Sequence, residues 1–134
     1  EKETEFNGVS GRSADIELSL KGQEYEKFRI RLAADEKYYS EIVYKRGKGI
    51  LTFDRTYSGL TRDAVTTRSM KVDNKNDELN LRILVDKYSV EIFVNDGEQA
   101  MTSLIYTPIS ATKITFASDG KAYMDVKKYE IEVE

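Results

Sequence analysis

The sequence predicts an all-β chain, an antiparallel β-sandwich of about ten strands, on three observations. Ile, Val, Thr, Tyr and Phe supply 43 of the 134 residues and Ala only 8, a bias toward strands. Apolar and polar residues alternate with a period of two from Ala14 onward, and no long helical period competes with it. Gly, Asn and Asp cluster between the alternating runs, where turns are needed.

The elements follow in order. Glu1 to Ser13 lacks a period and reads as an irregular N-terminal segment of a single module spanning 1–134. Ile16, Leu18 and Leu20 form the first alternating run, and Phe28, Ile30 and Leu32 the second. Ile42 and Tyr44, then Leu51 and Phe53, flank the turn Arg46-Gly47-Lys48-Gly49. A polar loop, Asp73 to Asp77, precedes Leu79, Leu81, Ile83 and Val85. Val90, Ile92 and Val94 run into Asn95-Asp96-Gly97, residues that tolerate positive φ. Met101 to Tyr106, Lys113 to Ala117 and Tyr123 to Val133 complete the strands, with a turn at Asp119-Gly120. Strands that are half polar imply antiparallel sheets with one wet face each. Two such sheets stack as a sandwich, with a closed barrel as the alternative.

Composition excludes several functions. Lys plus Arg is 21 and Asp plus Glu is 24, a net charge of −3, which does not suit a phosphate-tracking nucleic-acid binder. No apolar run is long enough to span a membrane. The chain has no Cys and no His, so it lacks thiol nucleophiles, Cys-based zinc sites and the commonest general base. No Gly-rich phosphate loop opens a helix. The chemistry these residues permit is a carboxylate pair for glycoside hydrolysis, and an open sheet face is a poor place to raise one carboxyl's pKa by burial.

The hairpins place candidate binding residues. If Lys45 pairs with Ile50, Ile42 meets Phe53 on the buried side and Glu41 meets Asp54 on the wet side. Like charges directly opposite are destabilising unless something answers them. Arg29 or Arg31 on the preceding strand is one answer, a calcium ion a second, and the hydroxyls of a polyol a third. A solvated charge lattice is the bland reading of the same residues. If Val85 pairs with Val90, Asp86 meets Ser89, Leu84 meets Glu91, and Arg82 meets Phe93 on the polar face. An outward ring among Arg, Glu and Asp suits a sugar platform, or is covered by a loop. Asp86 and Ser89 also suit a turn cap. Tyr38, Tyr39 and Tyr57 lie near turns or strand ends, where a ring that stacks and bonds is available to a ligand.

The order GILTFDRTYSG (49–59), LRILVDKYSVEIFVNDG (81–97) and MTSLIY (101–106) resembles the C-terminal β-sandwich module of glycoside hydrolase family 32, the fructan hydrolases such as invertase, inulinase and levanase. The likeness runs from about Ser13 to the C-terminus, with Phe53 and Tyr88 as mild departures. In that family the catalytic carboxylates belong to a separate five-bladed propeller, whose motifs (Trp, Asn-Asp-Pro, Arg-Asp-Pro, Glu-Cys) do not occur here. Among related modules the chain is most like carbohydrate-binding module family 66, which recognises terminal fructose units.

The resemblance implies a lectin-like jelly roll without catalysis of its own, from a secreted, extracellular bacterial enzyme. The expected role is to bind fructans (levan, inulin or sucrose) and so target an attached hydrolase to its substrate. The alternative is a sandwich that packs on and stabilises the catalytic propeller. The expected ligand-binding residues are Arg31, Glu41, Asp54, Arg55, Tyr57, Asp86 and Glu91, with no catalytic residue, no cofactor and no metal. The expected partners are the polysaccharide and the parent propeller, with no nucleic acid and no membrane.

Overall fold

The computed structural model describes residues 14–35, 37–54, 67–72, 78–87, 89–95, 99–104 and 112–130. These residues form ten strands: β1 (Ala14–Glu24), β2 (Lys27–Ala34), β3 (Ser40–Lys45), β4 (Ile50–Asp54), β5 (Thr67–Lys71), β6 (Glu78–Val85), β7 (Ser89–Val94), β8 (Gln99–Leu104), β9 (Lys113–Ser118) and β10 (Lys121–Glu130). They make two five-stranded sheets, in the orders β10-β1-β6-β7-β8 and β5-β4-β3-β2-β9. Every pairing is antiparallel. The expected all-β sandwich is the observed architecture.

Alternation explains the two layers. One sheet turns Ile16, Leu18, Leu81, Ile83 and Ile92 inward; the other contributes Ile30, Ile42, Leu51, Phe53 and Phe116, and all belong to one buried cluster. Each fully buried side chain of this size contributes roughly 1.5–3 kcal/mol of transfer free energy. The alternate positions on the same strands, mostly polar, line the two outer faces, where Val43 and Ala117 are apolar and buried.

The hairpin registers agree with the alternation. Lys45 pairs with Ile50, which places Glu41 opposite Asp54. Val85 pairs with Val90, which places Arg82 opposite Phe93 and Leu84 opposite Glu91. The β3–β4 turn closes with Gly49 N–H donating to Arg46 O at 3.2 Å, and Gly49 takes φ of 61°. Asn95 takes φ of 49°, as an Asn after a strand readily does. The Asp73–Asp77 loop, residues 1–13 and residues 96–98 lie outside the described residues.

The β9–β10 turn is latched to the β1–β2 turn. Asp119 Oδ1 accepts from the backbone N–H groups of Glu26 at 2.9 Å and Lys27 at 3.1 Å. Gly120 packs so closely here that a Cβ would collide with the Glu24 carbonyl oxygen. At the opposite edge, Arg68 on β5 reaches across to the Thr102 carbonyl on β8 at 3.4 Å.

The alternation rule did not identify β5. Thr67, Arg68, Ser69 and Lys71 are all exposed and Met70 is half-buried, so this edge strand shows no apolar period. Its backbone pairing with β4 defines it instead.

Candidate functional site

A charged row crosses the outer face of the β5-β4-β3-β2-β9 sheet. Register places Thr115, Arg31, Glu41, Asp54 and Thr67 side by side on successive strands. Arg31 Nε donates to Glu41 Oε2 at 2.9 Å, with the two side chains 32% and 15% exposed. Arg31 therefore stands on the far side of Glu41 from Asp54. Among the described residues no group of three or more carboxylates gathers as metal ligands would.

The β2–β3 turn aims a ring at this row. Asp35 Oδ1 accepts from Lys37 N–H at 2.8 Å and Tyr38 N–H at 2.7 Å, while Asp35 N–H donates to Tyr38 O at 2.9 Å. Those backbone bonds, that of Tyr38 foremost, hold the Asp35 carboxyl below the ordinary carboxylate value. The ordered turn sets Tyr39 so that the Arg31 guanidinium lies 4.2 Å from its ring centroid. Arg31 is thus gripped by a carboxylate and a ring, which removes rotamer freedom before any ligand arrives. A ring, a guanidinium and two carboxylates on an accessible face can stack on a sugar and bond its hydroxyls in both senses.

Of the residues expected to bind a ligand, the structure brings together Arg31, Glu41 and Asp54. Arg55 and Tyr57 lie outside the described residues. Asp86 and Glu91 belong to the other sheet. Asp86 is exposed at the β6–β7 turn, where its N–H donates to Ser89 O at 2.8 Å and its Oδ1 accepts from Lys87 N–H at 2.6 Å. Glu91 is half-buried on β7, between Leu84 and Thr102. Both neighbours of Glu91 along the strand, Val90 and Ile92, point into the core, so Glu91 faces away from the Arg31–Glu41–Asp54 row. A core about 10 Å thick separates the two outer faces. One ligand cannot span both sets.

That second outer face is concave. A groove of about 500 Å³ runs over β10, β1, β6 and β7, lined among others by Glu17, Ser19, Asn80, Arg82, Phe93 and Asp125. Phe93 is the outward ring expected from the hairpin register. Glu17, Ser19, Asn80 and Asp125 carry no local signal, because β1 pairs with strands remote in sequence.

Comparison with known proteins fits this architecture. Residues 1–133 match the family described as "Glycosyl hydrolases family 32 C terminal". The chain is 39% identical over 107 residues to a sucrose-6-phosphate hydrolase of Staphylococcus xylosus, covering 78% of this chain and 21% of that protein. It is 31% identical over 124 residues to a levanase of Bacillus subtilis (strain 168), covering 85% of this chain and 18% of that protein. The chain thus spans about a fifth of the length of these relatives. Among solved structures, sucrose-6-phosphate hydrolase from Lactobacillus gasseri superposes with a TM-score of 0.76 at 28% identity, covering 98% of this chain and 28% of that one. Exo-inulinase from Aspergillus awamori shares the fold with a TM-score of 0.83 at 23% identity, covering 98% of this chain and 26% of that one.

Proposed function

This chain belongs to the C-terminal domains of glycosyl hydrolase family 32, and on that premise we propose that it is a non-catalytic module that binds terminal fructose units of fructans such as levan. It holds an attached fructan hydrolase on its substrate, outside the cell, in the manner of carbohydrate-binding module family 66. The observation that carries this reading is the Tyr39–Arg31–Glu41–Asp54 row: a ring, a guanidinium and two carboxylates gathered on one outer sheet face. Carboxylates accept strong bonds from sugar hydroxyls, a guanidinium donates to ring and hydroxyl oxygens, and the Tyr ring stacks on the apolar face of a sugar. Relatives named for levan and sucrose-6-phosphate support a fructose-containing ligand.

Catalysis does not suit the same row. Hydrolysing a glycoside needs two carboxyls flanking the bond, one of them poised as an acid. Glu41 and Asp54 are direct cross-strand neighbours on one outer face, and Glu41 is already committed to Arg31. The other role for such a module, packing on and stabilising a propeller, calls for a broad apolar docking face. Among the described residues Tyr123 alone is a large exposed hydrophobic, which favours the binding role.

Calorimetric titration of the chain with levan, inulin and fructose tests the proposal. A shallow site of this kind binds with a Kd of roughly 10 µM to 1 mM. Branched levan, with many chain ends, binds more tightly per mass than linear inulin through multivalency. Absence of binding to all three ligands, in protein that melts cooperatively, overturns it.

A further inference from the structure

The groove over β10, β1, β6 and β7 is built differently from the row on the opposite face, and its groups are less committed. Arg82 is occupied: its Nε donates to Asp15 Oδ1 at 3.0 Å and its Nη2 to Asp15 Oδ2 at 2.6 Å. Glu17 lies between Arg82 and Lys127 in the strand register, yet Asp15 takes the guanidinium. Among the described residues Glu17, Asp125 and Lys127 form no ion pair. Ser19 lies between Asn80 and Asp125, and its hydroxyl is shared by Asn80 Oδ1 at 2.9 Å and Glu78 Oε1 at 3.2 Å. That bond orients the Asn80 side chain with its carbonyl toward Ser19, which leaves the amide NH2 as a donor.

The groove therefore offers two carboxylates as acceptors, an ammonium and an amide as donors, and one half-exposed ring, Phe93. The short neighbour of Phe93 across β8 is Ala100, which is too small to cover the ring. With Arg82 paired to Asp15, Glu17 and Asp125 outnumber Lys127 by one carboxylate, so the groove disfavours an anionic ligand. Its volume of about 500 Å³ falls within the usual range for small-molecule sites. Mixed donors and acceptors beside a flat apolar ring match a neutral sugar residue, which presents adjacent hydroxyls on its rim and C–H groups on one face.

The geometry points to a second sugar-binding site here, back to back with the Arg31–Glu41–Asp54 row and taking a neutral sugar residue. This inference deepens the carbohydrate-binding reading and rests on it for the class of ligand. Two sites on opposite outer faces make the module bivalent, able to bridge two chains or two branches of one polysaccharide.

Amide chemical-shift titration of the whole chain with fructose, sucrose and glucose in turn tests this, because each face is read separately. At least one of these sugars shifts the amides of residues 17–19, 80–82, 93 and 125–127 in a saturable way, up to concentrations of about 10 mM. Phe93→Ala and Glu17→Gln, both solvent-side changes, each weaken that response about tenfold or more. The same variants leave any response around residues 31, 41 and 54 unchanged. Shifts confined to the 31–41–54 face overturn the second site and leave the proposed function standing. Shifts confined to the groove uphold this site and move sugar recognition away from the row. No shift in the groove with any of the three sugars, or a Phe93→Ala protein that titrates there like the parent, overturns the inference.

Discussion

Arg31 and Glu41 face each other across β2 and β3 with Nε and Oε2 at 2.9 Å, and this bond is what lets Glu41 stand directly beside Asp54. Two carboxylates on adjacent strands repel at cross-strand distance. A guanidinium on the far side of one of them offsets that repulsion. Tyr39 limits where the guanidinium can go. The row is thus a prearranged constellation on an otherwise ordinary sheet surface.

Removing the cation should expose the repulsion. Arg31→Ala is expected to lower stability by about 1 kcal/mol, the upper end for a partly exposed pair. Adding Glu41→Gln to that variant should restore most of the loss, because the like-charge contact disappears with it. Urea denaturation of the two single variants and the double variant measures the coupling.

Gly120 is expected to tolerate no side chain. A Cβ at this position meets the Glu24 carbonyl oxygen, a backbone atom that cannot turn aside. Gly120→Ala should cost about 1–3 kcal/mol, as overpacking does, and disturb the latch between the two turns. Thermal melts of parent and variant provide the check.

Ser40 presents the opposite case. Its residue surface is 0% exposed and its Oγ finds no hydrogen-bond partner among the described residues. A buried hydroxyl without a partner carries an uncompensated desolvation cost. Ser40→Ala should therefore raise stability, by about 1 kcal/mol, a shift readable by denaturant midpoint at constant m-value.

Asp119 links stability to acid pH. The backbone N–H groups of Lys27 and Glu26, in that order, hold its carboxyl below the ordinary carboxylate value. A depressed folded pKa stabilises the fold above the unfolded value of about 4, and that contribution is lost as pH falls through the folded value. Asp35 acts in the same direction through Tyr38 and Lys37. Asp119→Asn should be less stable than the parent at neutral pH, and the gap should narrow as pH drops below about 4. Melting curves taken across that range show whether it does.

Much of this was legible in the sequence, for identifiable reasons. A tight turn at Arg46–Gly49 transmits the alternation of Ile42, Tyr44, Leu51 and Phe53 into one register, so Glu41 opposite Asp54 followed from local sequence. The same holds for Arg82 opposite Phe93 across the β6–β7 turn. Arg31 was the arginine expected at the site, but local pattern left Arg29 and Arg31 both open as the partner of Glu41, because the β2–β3 connection is longer and its register depends on the Asp35 turn. The rest of the groove around Phe93 and Arg82 was invisible for a stronger reason. Glu17 meets Arg82 and Lys127 only through pairings of β1 with β6 and β10, and no local pattern announces them. Nor did the sequence separate Asp86 and Glu91 from the Glu41 row, since alternation says which residues face outward but not which of two outer faces they share.

The central claim is that the Arg31–Glu41–Asp54 row binds terminal fructose, and affinity for levan in the Glu41→Gln and Asp54→Ala variants tests it most directly. Calorimetric titration should show each variant binding about ten- to a hundredfold more weakly than the parent, the loss expected for one charge-assisted hydrogen bond to a ligand hydroxyl, while both variants still melt cooperatively. Unchanged affinity for levan in both variants would contradict the account and reduce the row to a charge lattice that keeps the sheet in register.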